Sequence, residues 1–180
     1  MNGETIVVGG GVIGLTSAVV LAEAGHRVRL WSPGEPGATT SAVAGGLWWP
    51  YRIEPEERVG AWALRSLEVY AGLLDRPEET GARLVSGVHA ATPPGADSLE
   101  PDPVTAREIV ARCAGLRPEI AGARVLGHRV GLRPERAGGV RLEREELPGG
   151  GVLVHNYGHG GAGVTVAWGC ADEVAALLDV

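Results

Sequence analysis

Gly9, Gly11 and Gly14 spell G-x-G-x-x-G, and far downstream the run HNYGHGGAGVTVAWG sets Gly158, Gly160, Gly161 and Gly163 around two histidines. Glycine carries no reactive group, so the chemistry on offer is that of bare backbone: N–H groups brought close to a phosphate or a ring edge. In the first cluster each glycine has its own task. Gly9 permits the tight turn, Gly11 lets backbone approach a pyrophosphate, and Gly14 lets the following helix pack on the preceding strand. Val12 and Ile13 then open that helix, whose N-terminus adds partial positive charge. The second cluster also precedes a helix. Glycines there let backbone N–H groups reach the pyrimidine ring of a flavin, and a helix N-terminus stabilises negative charge on that ring. Gly158, Gly160, Gly161 and Gly163 are the expected contacts, with the Thr165 hydroxyl as a further donor. His155 and His159 have the spacing of half a zinc site, but no Cys pair or third ligand accompanies them, so no metal is expected.

The elements around these clusters support the reading. Thr5 to Val8 is a short apolar run, Val12 to Ala24 consists of helix-forming residues, and Gly25 suits a helix stop. Val28 and Leu30 alternate with Arg27 and Arg29, which predicts a second strand. Strand, glycine turn, helix and strand make half of a βαβ unit, the context that turns G-x-G-x-x-G from a weak match into a dinucleotide site. One part of that fingerprint is missing. The second strand should end in Asp or Glu to hold a ribose, whereas Ser32, Pro33 and Gly34 stand there and only Glu35 follows. Weaker adenosine binding is the expected result.

Further along, Pro33 to Pro55 reads as a long loop of the kind kept for ligand binding. A helix begins near Arg58 with Val59, Trp62, Ala63, Tyr70, Leu73 and Leu74 on one face. ATPPGADSLEPDP has the composition of a linker. Asp102 and Pro103 form an N-cap pair for a helix striped by Ala106, Ile109, Val110 and Cys113 and ending near Gly115. VRLERE and VLVHNY are strands around the turn LPGGG, and the last helix carries Val166, Val174, Leu177 and Leu178. Trp48, Trp49 and Trp62 read as packing aromatics, with Trp49 bordering a pocket.

Composition narrows the function classes. The chain has 180 residues, 44% hydrophobic and 21% charged, which suits one domain or a domain with a small partner. A net charge of −6 argues against nucleic acid. All the cations are Arg, and Phe is absent, a bias of coding rather than of function. Two distant cysteines form no disulfide framework, no secretory-type leader opens the chain, and no apolar run approaches membrane length. A cytoplasmic protein without a membrane segment is expected.

Four blocks then bring a family into view: VVGGGVIGLTSAVVLAEAGHRVRLWS, TTSAVAGGLWWPYRIEP, GHRVGLRPERAGGVRLERE and VLVHNYGHGGAGVTVAWGCADEVAALL. In order and content they resemble the D-amino-acid oxidase family, FAD enzymes that include D-aspartate oxidase. The resemblance implies an α/β fold, a Rossmann-like FAD-binding domain over residues 1–85 and 151–180, with a much reduced substrate domain over residues 86–150. It implies FAD as cofactor, a D-amino acid and dioxygen as partners, and a homodimer as the assembly. Thr39, Thr40 and Ser41 would lie near the FAD phosphates and ribityl chain. Val43, Ala44, Gly45, Gly46 and Leu47 would line one face of the isoalloxazine. Val164 and His159 would belong to the flavin loop. Arg133 in GLRPER would grip the substrate carboxylate through its planar fork, with Gly161 beside the reacting centre. Oxidation to a 2-oxo acid, ammonia and hydrogen peroxide would follow.

The resemblance covers both ends of the family's chain and not its middle, which carries most of the substrate domain and a strand between the first and last of the FAD sheet. Either the strands at Ile6 and Leu153 pair directly, or each leaves an open edge. A catalytically inactive FAD-binding remnant or interaction module is the alternative. An NAD-dependent enzyme is disfavoured, since it leaves the second glycine cluster and TTSAVAGGLW without a role.

Overall fold

The computed structural model describes residues 4–51, 53–87 and 100–179. The linker expected at 91–103 lies outside them as far as residue 99. The chain divides into two compact units, Met1–Ala90 with Arg133–Val180, and Ala91–Leu132.

The larger unit starts as its sequence indicates. Strands β1 (Glu4–Val8) and β2 (Arg27–Trp31) pair in parallel, Glu4 opposite Arg27 and Val8 opposite Trp31, with helix α1 (Val12–Glu23) between them. Gly25 ends α1 at φ +92°, a conformation that costs other residues strain. The long loop is less bare than expected, because a 3-10 turn at Pro36–Ala38 and the short helix α2 (Thr40–Val43) interrupt it. Thr39 caps α2, its hydroxyl accepting from the Ala42 N–H. Helix α3 (Glu56–Leu73) and the single turn α4 (Pro77–Thr80) follow. After the smaller unit, β3 (Arg141–Leu147) and β4 (Gly151–Tyr157) form an antiparallel hairpin that leads into α6 (Gly163–Leu178).

Two parallel helices form the spine. Val12 of α1 meets Gly163 of α6, the Thr16 hydroxyl faces the Ala167 carbonyl at 3.4 Å, and His26 beyond α1 sits 3.6 Å from Asp179 beyond α6. Helix α3 runs the opposite way along α6. Tyr70 donates to the Val164 carbonyl, Ser66 accepts from the Trp168 and Gly169 N–H groups, and Trp62 donates to Glu173 at 2.6 Å. A Cβ on Gly169 would overlap the Trp62 backbone, so this glycine sets how closely the two helices approach. Leu21, Val59, Trp62, Val140, Leu142, Val166, Cys170 and Val174 make the core, with Val7, Val28 and Val154 packed against it from the strands. Full burial of each such side chain contributes about 1.5–3 kcal/mol. Burial and the neighbouring Glu173 push the Cys170 thiol up, which leaves it unreactive.

The strands form two separate two-stranded sheets, β1–β2 and β3–β4. Of the two outcomes expected for the first and last strands, the open-edged one holds. Ile6, Val8 and Trp31, on the sheet face turned from the core, are 44%, 77% and 53% exposed.

In the smaller unit Asp102 caps α5 (Pro103–Leu116), its carboxylate accepting from the Val104 and Thr105 N–H groups; these bonds and that of the Thr105 hydroxyl hold its pKa below the usual range. The helix ends one residue beyond Gly115. No residue of α5 is buried: Ala106, Val110 and Cys113 are half-covered and Ile109 is exposed.

Candidate functional site

Strand β1 delivers Gly9 at φ +120°, its N–H bonded to the Trp31 carbonyl at 2.8 Å, and the chain turns at once into α1. A Cβ on Gly14 would overlap the Gly9 carbonyl, so the turn closes only on a bare residue. Ser41 reaches this turn from the start of α2. Its hydroxyl accepts from the Val12 N–H at 2.9 Å and lies 3.0 Å from where a Gly11 Cβ would stand. Thr39 spends its hydroxyl on the α2 cap and on the Pro36 carbonyl instead. Thr40, Ala44, Gly45, Gly46 and Leu47 are exposed.

The second glycine cluster approaches the same place from the other side. Gly163 lies 3.2 Å, measured from its would-be Cβ, from Val12 Cγ1, with Ile13 next to it, so the N-termini of α1 and α6 lie side by side. Two helix ends aimed together make a region of positive potential suited to an anion. Ala162 at the α6 N-cap offers no side-chain cap. Val164, one residue in, gives its carbonyl to Tyr70, whose phenol burial pushes up.

The loop before α6 is held from one segment. Glu135 bridges to His159, the Gly160 N–H donates to the Pro134 carbonyl at 3.1 Å, and a Cβ on Gly158 would come 2.8 Å from the Gly139 carbonyl. The Arg133 guanidinium lies against Gly161, with Cζ 3.3 Å from the glycine's would-be Cβ. The two residues expected at the reacting centre are therefore neighbours. His159 is 5% exposed, its Nε2 is sealed without a partner, and burial pushes its pKa down to about 4. His155 points elsewhere, Nε2 2.9 Å from Glu145. Among the described residues no group of three or more His, Cys, Asp and Glu is arranged to hold a metal.

Thr165 is the tie that sequence reasoning missed. Its buried hydroxyl accepts from the Trp49 N–H at 3.0 Å and donates to the Trp49 carbonyl at 3.1 Å. That proton is spent within the protein. The exchange straps the segment after α2 to the start of α6, while Trp48 turns inward and donates to the Ala63 carbonyl. Trp49 and Leu47 remain 55% and 64% exposed, so Trp49 borders open space rather than packing inside. At the end of β2, Ser32 stands beside Gly10 and donates to the Gly34 carbonyl, where a ribose-binding acid was sought.

A glycine-turned βαβ start whose first helix shares its N-terminal end with a second glycine-led helix defines a dinucleotide-binding α/β protein. The sequence profile of the FAD dependent oxidoreductases matches residues 4–94 and 76–177, and the chain belongs to that family. It is similar to the D-amino-acid oxidase of Streptomyces coelicolor, 39% identical over 310 aligned positions that span 98% of this chain and 97% of that protein. The D-amino-acid oxidase of Rubrobacter xylanophilus is 32% identical over 312 positions, spanning 97% and 95%. Human D-aspartate oxidase is 46% identical over 84 residues, 45% of this chain and 24% of that protein. An alignment of 310 positions against 180 residues leaves a long internal block of the Streptomyces protein facing no residue, so the chain is shortened relative to it.

The chain is thus an FAD-dependent oxidoreductase, and its residues fit that cofactor. Gly9, Gly45 and Gly46 back onto open space, with nothing within 4 Å of a would-be Cβ, beside the paired helix N-termini. No helix among the described residues is long and apolar enough to cross a membrane.

Proposed function

We propose that the chain oxidises D-amino acids, converting a D-amino acid, water and dioxygen into a 2-oxo acid, ammonia and hydrogen peroxide. The observation that carries this reading is the contact of the Arg133 guanidinium with Gly161 at the start of α6, in a chain matched end to end by D-amino-acid oxidases. FAD, when bound, supplies a two-electron acceptor for the hydride leaving the substrate Cα and passes the electrons to dioxygen.

The remaining roles belong to the protein. Arg133 binds the substrate carboxylate through a permanently charged fork, and Gly161, lacking a side chain, lets that fork lie close to the α6 N-terminus. Orientation and a deprotonated amine carry the hydride step, without an acid or base in contact with it. Gly9, Gly11, Val12, Ile13, Gly14 and Ser41 receive the pyrophosphate end, with Thr39 and Thr40 beside them. Ala44 to Leu47 cover one face of the flavin, and Gly158 to Thr165 its pyrimidine edge. Thr165 serves there chiefly by fixing Trp49, since its proton is already donated.

Residues 1–85 and 151–180 form the FAD-binding domain in this reading, and 86–150 the reduced substrate domain. The two free cysteines, Cys113 and Cys170, agree with a reducing, cytoplasmic setting. A second reading, an FAD-binding remnant without turnover, is favoured by the open face at Ile6, Val8 and Trp31. The visible spectrum of the purified protein with FAD, before and after anaerobic D-alanine or D-aspartate, separates them. Bleaching of the flavin band followed by peroxide on admitting air supports the oxidase; a flavin band that neither amino acid changes supports the remnant.

A further inference from the structure

The open edge of β1 and an unpaired segment of the same chain are complementary. Along β1, Thr5 to Val8 carry no charge, proline or bulge, the devices that usually guard a sheet edge. Its one charge, Glu4, stands at the entry, where Arg29 already reaches it at 3.0 Å from the β2 side. Residues 82–87, with sequence ARLVSG, have neither helix nor strand pairing, and Leu84 and Val85 are 89% and 64% exposed. The only charge in this segment is Arg83, held by nothing firmer than an exposed contact with Glu78 at 3.5 Å.

We infer that two copies of the chain exchange this segment, residues 82–87 of each adding as a parallel strand to the free edge of β1 in the other. Arg83 then stands beside Glu4, Leu84 beside Thr5 and Val85 beside Ile6, which pairs the opposite charges and covers the edge. The parallel direction matches β2 on the other side of β1.

The exchange must be between copies. Tyr70 bonds Val164, and Thr80 bonds the Leu73 carbonyl, so Gly81 lies near the N-terminal end of α6. Glu4 lies at the opposite end, since Thr5 meets His26 and His26 meets Asp179 beyond the C-terminus of α6. The 16 residues of α6 put about 24 Å between those ends, whereas residues 81 to 83 reach about 7 Å. A chain cannot bring its own Arg83 to its own Glu4, and a reciprocal, two-fold swap closes without leaving a further edge of this kind.

Sedimentation velocity of the purified chain, with and without FAD, is the first test, and twice the 18.6 kDa chain mass is expected in both. Leu84→Asp should return the protein to monomer with its far-UV circular dichroism unchanged. An equimolar mixture of Ile6→Cys and Val85→Cys chains, both carrying Cys113→Ser, should be joined by a short bis-maleimide into a mixed dimer. A monomeric wild-type chain at submillimolar concentration would overturn the inference. So would a dimer that survives Leu84→Asp and gives no 6-to-85 cross-link, because its contact would lie on another face.

Discussion

The two glycine clusters meet at one place but are made of glycine for different reasons. In the first, Gly14 is bare because its own turn closes on it, a Cβ running into the carbonyl of Gly9 only five residues earlier. In the second, the crowding comes from distant chain. Gly139 and Arg136 press on Gly158, Glu135 on Gly160, and Arg133 on Gly161. The first turn is a local solution that any βαβ unit of this kind adopts. The second is a socket whose walls are brought by the segment before β3, and that segment also carries the arginine proposed to hold substrate.

Gly14→Ala offers the largest test of this contrast. The clash is with backbone that cannot move without undoing the turn, so a destabilisation of about 3 kcal/mol or more is expected, with loss of FAD binding. Urea denaturation monitored by circular dichroism, together with a flavin titration, checks it; a variant that keeps both would show that the turn is not closed as described.

The socket is also where pH should act. Burial lowers the folded-state pKa of His159 to about 4, below the usual 6.5, so the unfolded chain takes up a proton in that window while the folded one does not. Stability from this group is therefore complete above pH 6.5 and falls as pH drops from 6.5 to 4. About 2 kcal/mol should be lost between pH 7 and pH 5, and His159→Gln should flatten that slope. Equal slopes for the two proteins in denaturant titrations would place the loss elsewhere.

A smaller change tests the strap between the two halves. Thr165→Val leaves the N–H and carbonyl of Trp49 without their partner and should cost about 1–2 kcal/mol, while Thr165→Ser restores both bonds. The difference in thermal midpoint between the two variants is the measurement, and equal midpoints would deny the strap any weight.

Gly161→Ala should have the smallest effect on stability, within about 0.5 kcal/mol, because the atom in its way is the movable end of Arg133. A shift of a few tenths of an ångström in the guanidinium should appear instead as a raised KM for D-amino acids with a stable fold. A large loss of stability would mean that Arg133 is fixed in place, and an unchanged KM would separate it from the substrate.

Much of this was legible in the residues themselves. G-x-G-x-x-G between an apolar run and helix formers located β1, the turn and α1, because each of those preferences is local. Asp102 with Pro103 announced α5 in the same way, through a cap whose bonds reach only two and three residues ahead. LPGGG between two alternating runs marked the hairpin. The Thr165 strap left no such mark, since a threonine early in a helix looks alike whether its hydroxyl meets a ligand, its own backbone or a tryptophan 116 residues away in sequence. Ser66 was equally silent, a polar residue on an otherwise apolar face that turned out to accept two N–H groups of α6.

By itself, then, the sequence determined the elements, the turns between them and which residues were bare enough to admit a cofactor, because strand, helix and turn preferences act over a few residues. Tertiary structure decided what those elements meet: that α1 and α6 lie parallel with their N-termini together, that Arg133 rests on Gly161, and that β1 and β4 stay apart with an apolar face open. Such contacts depend on which surfaces pack once the chain has closed its long loops, and no short stretch of residues contains that information.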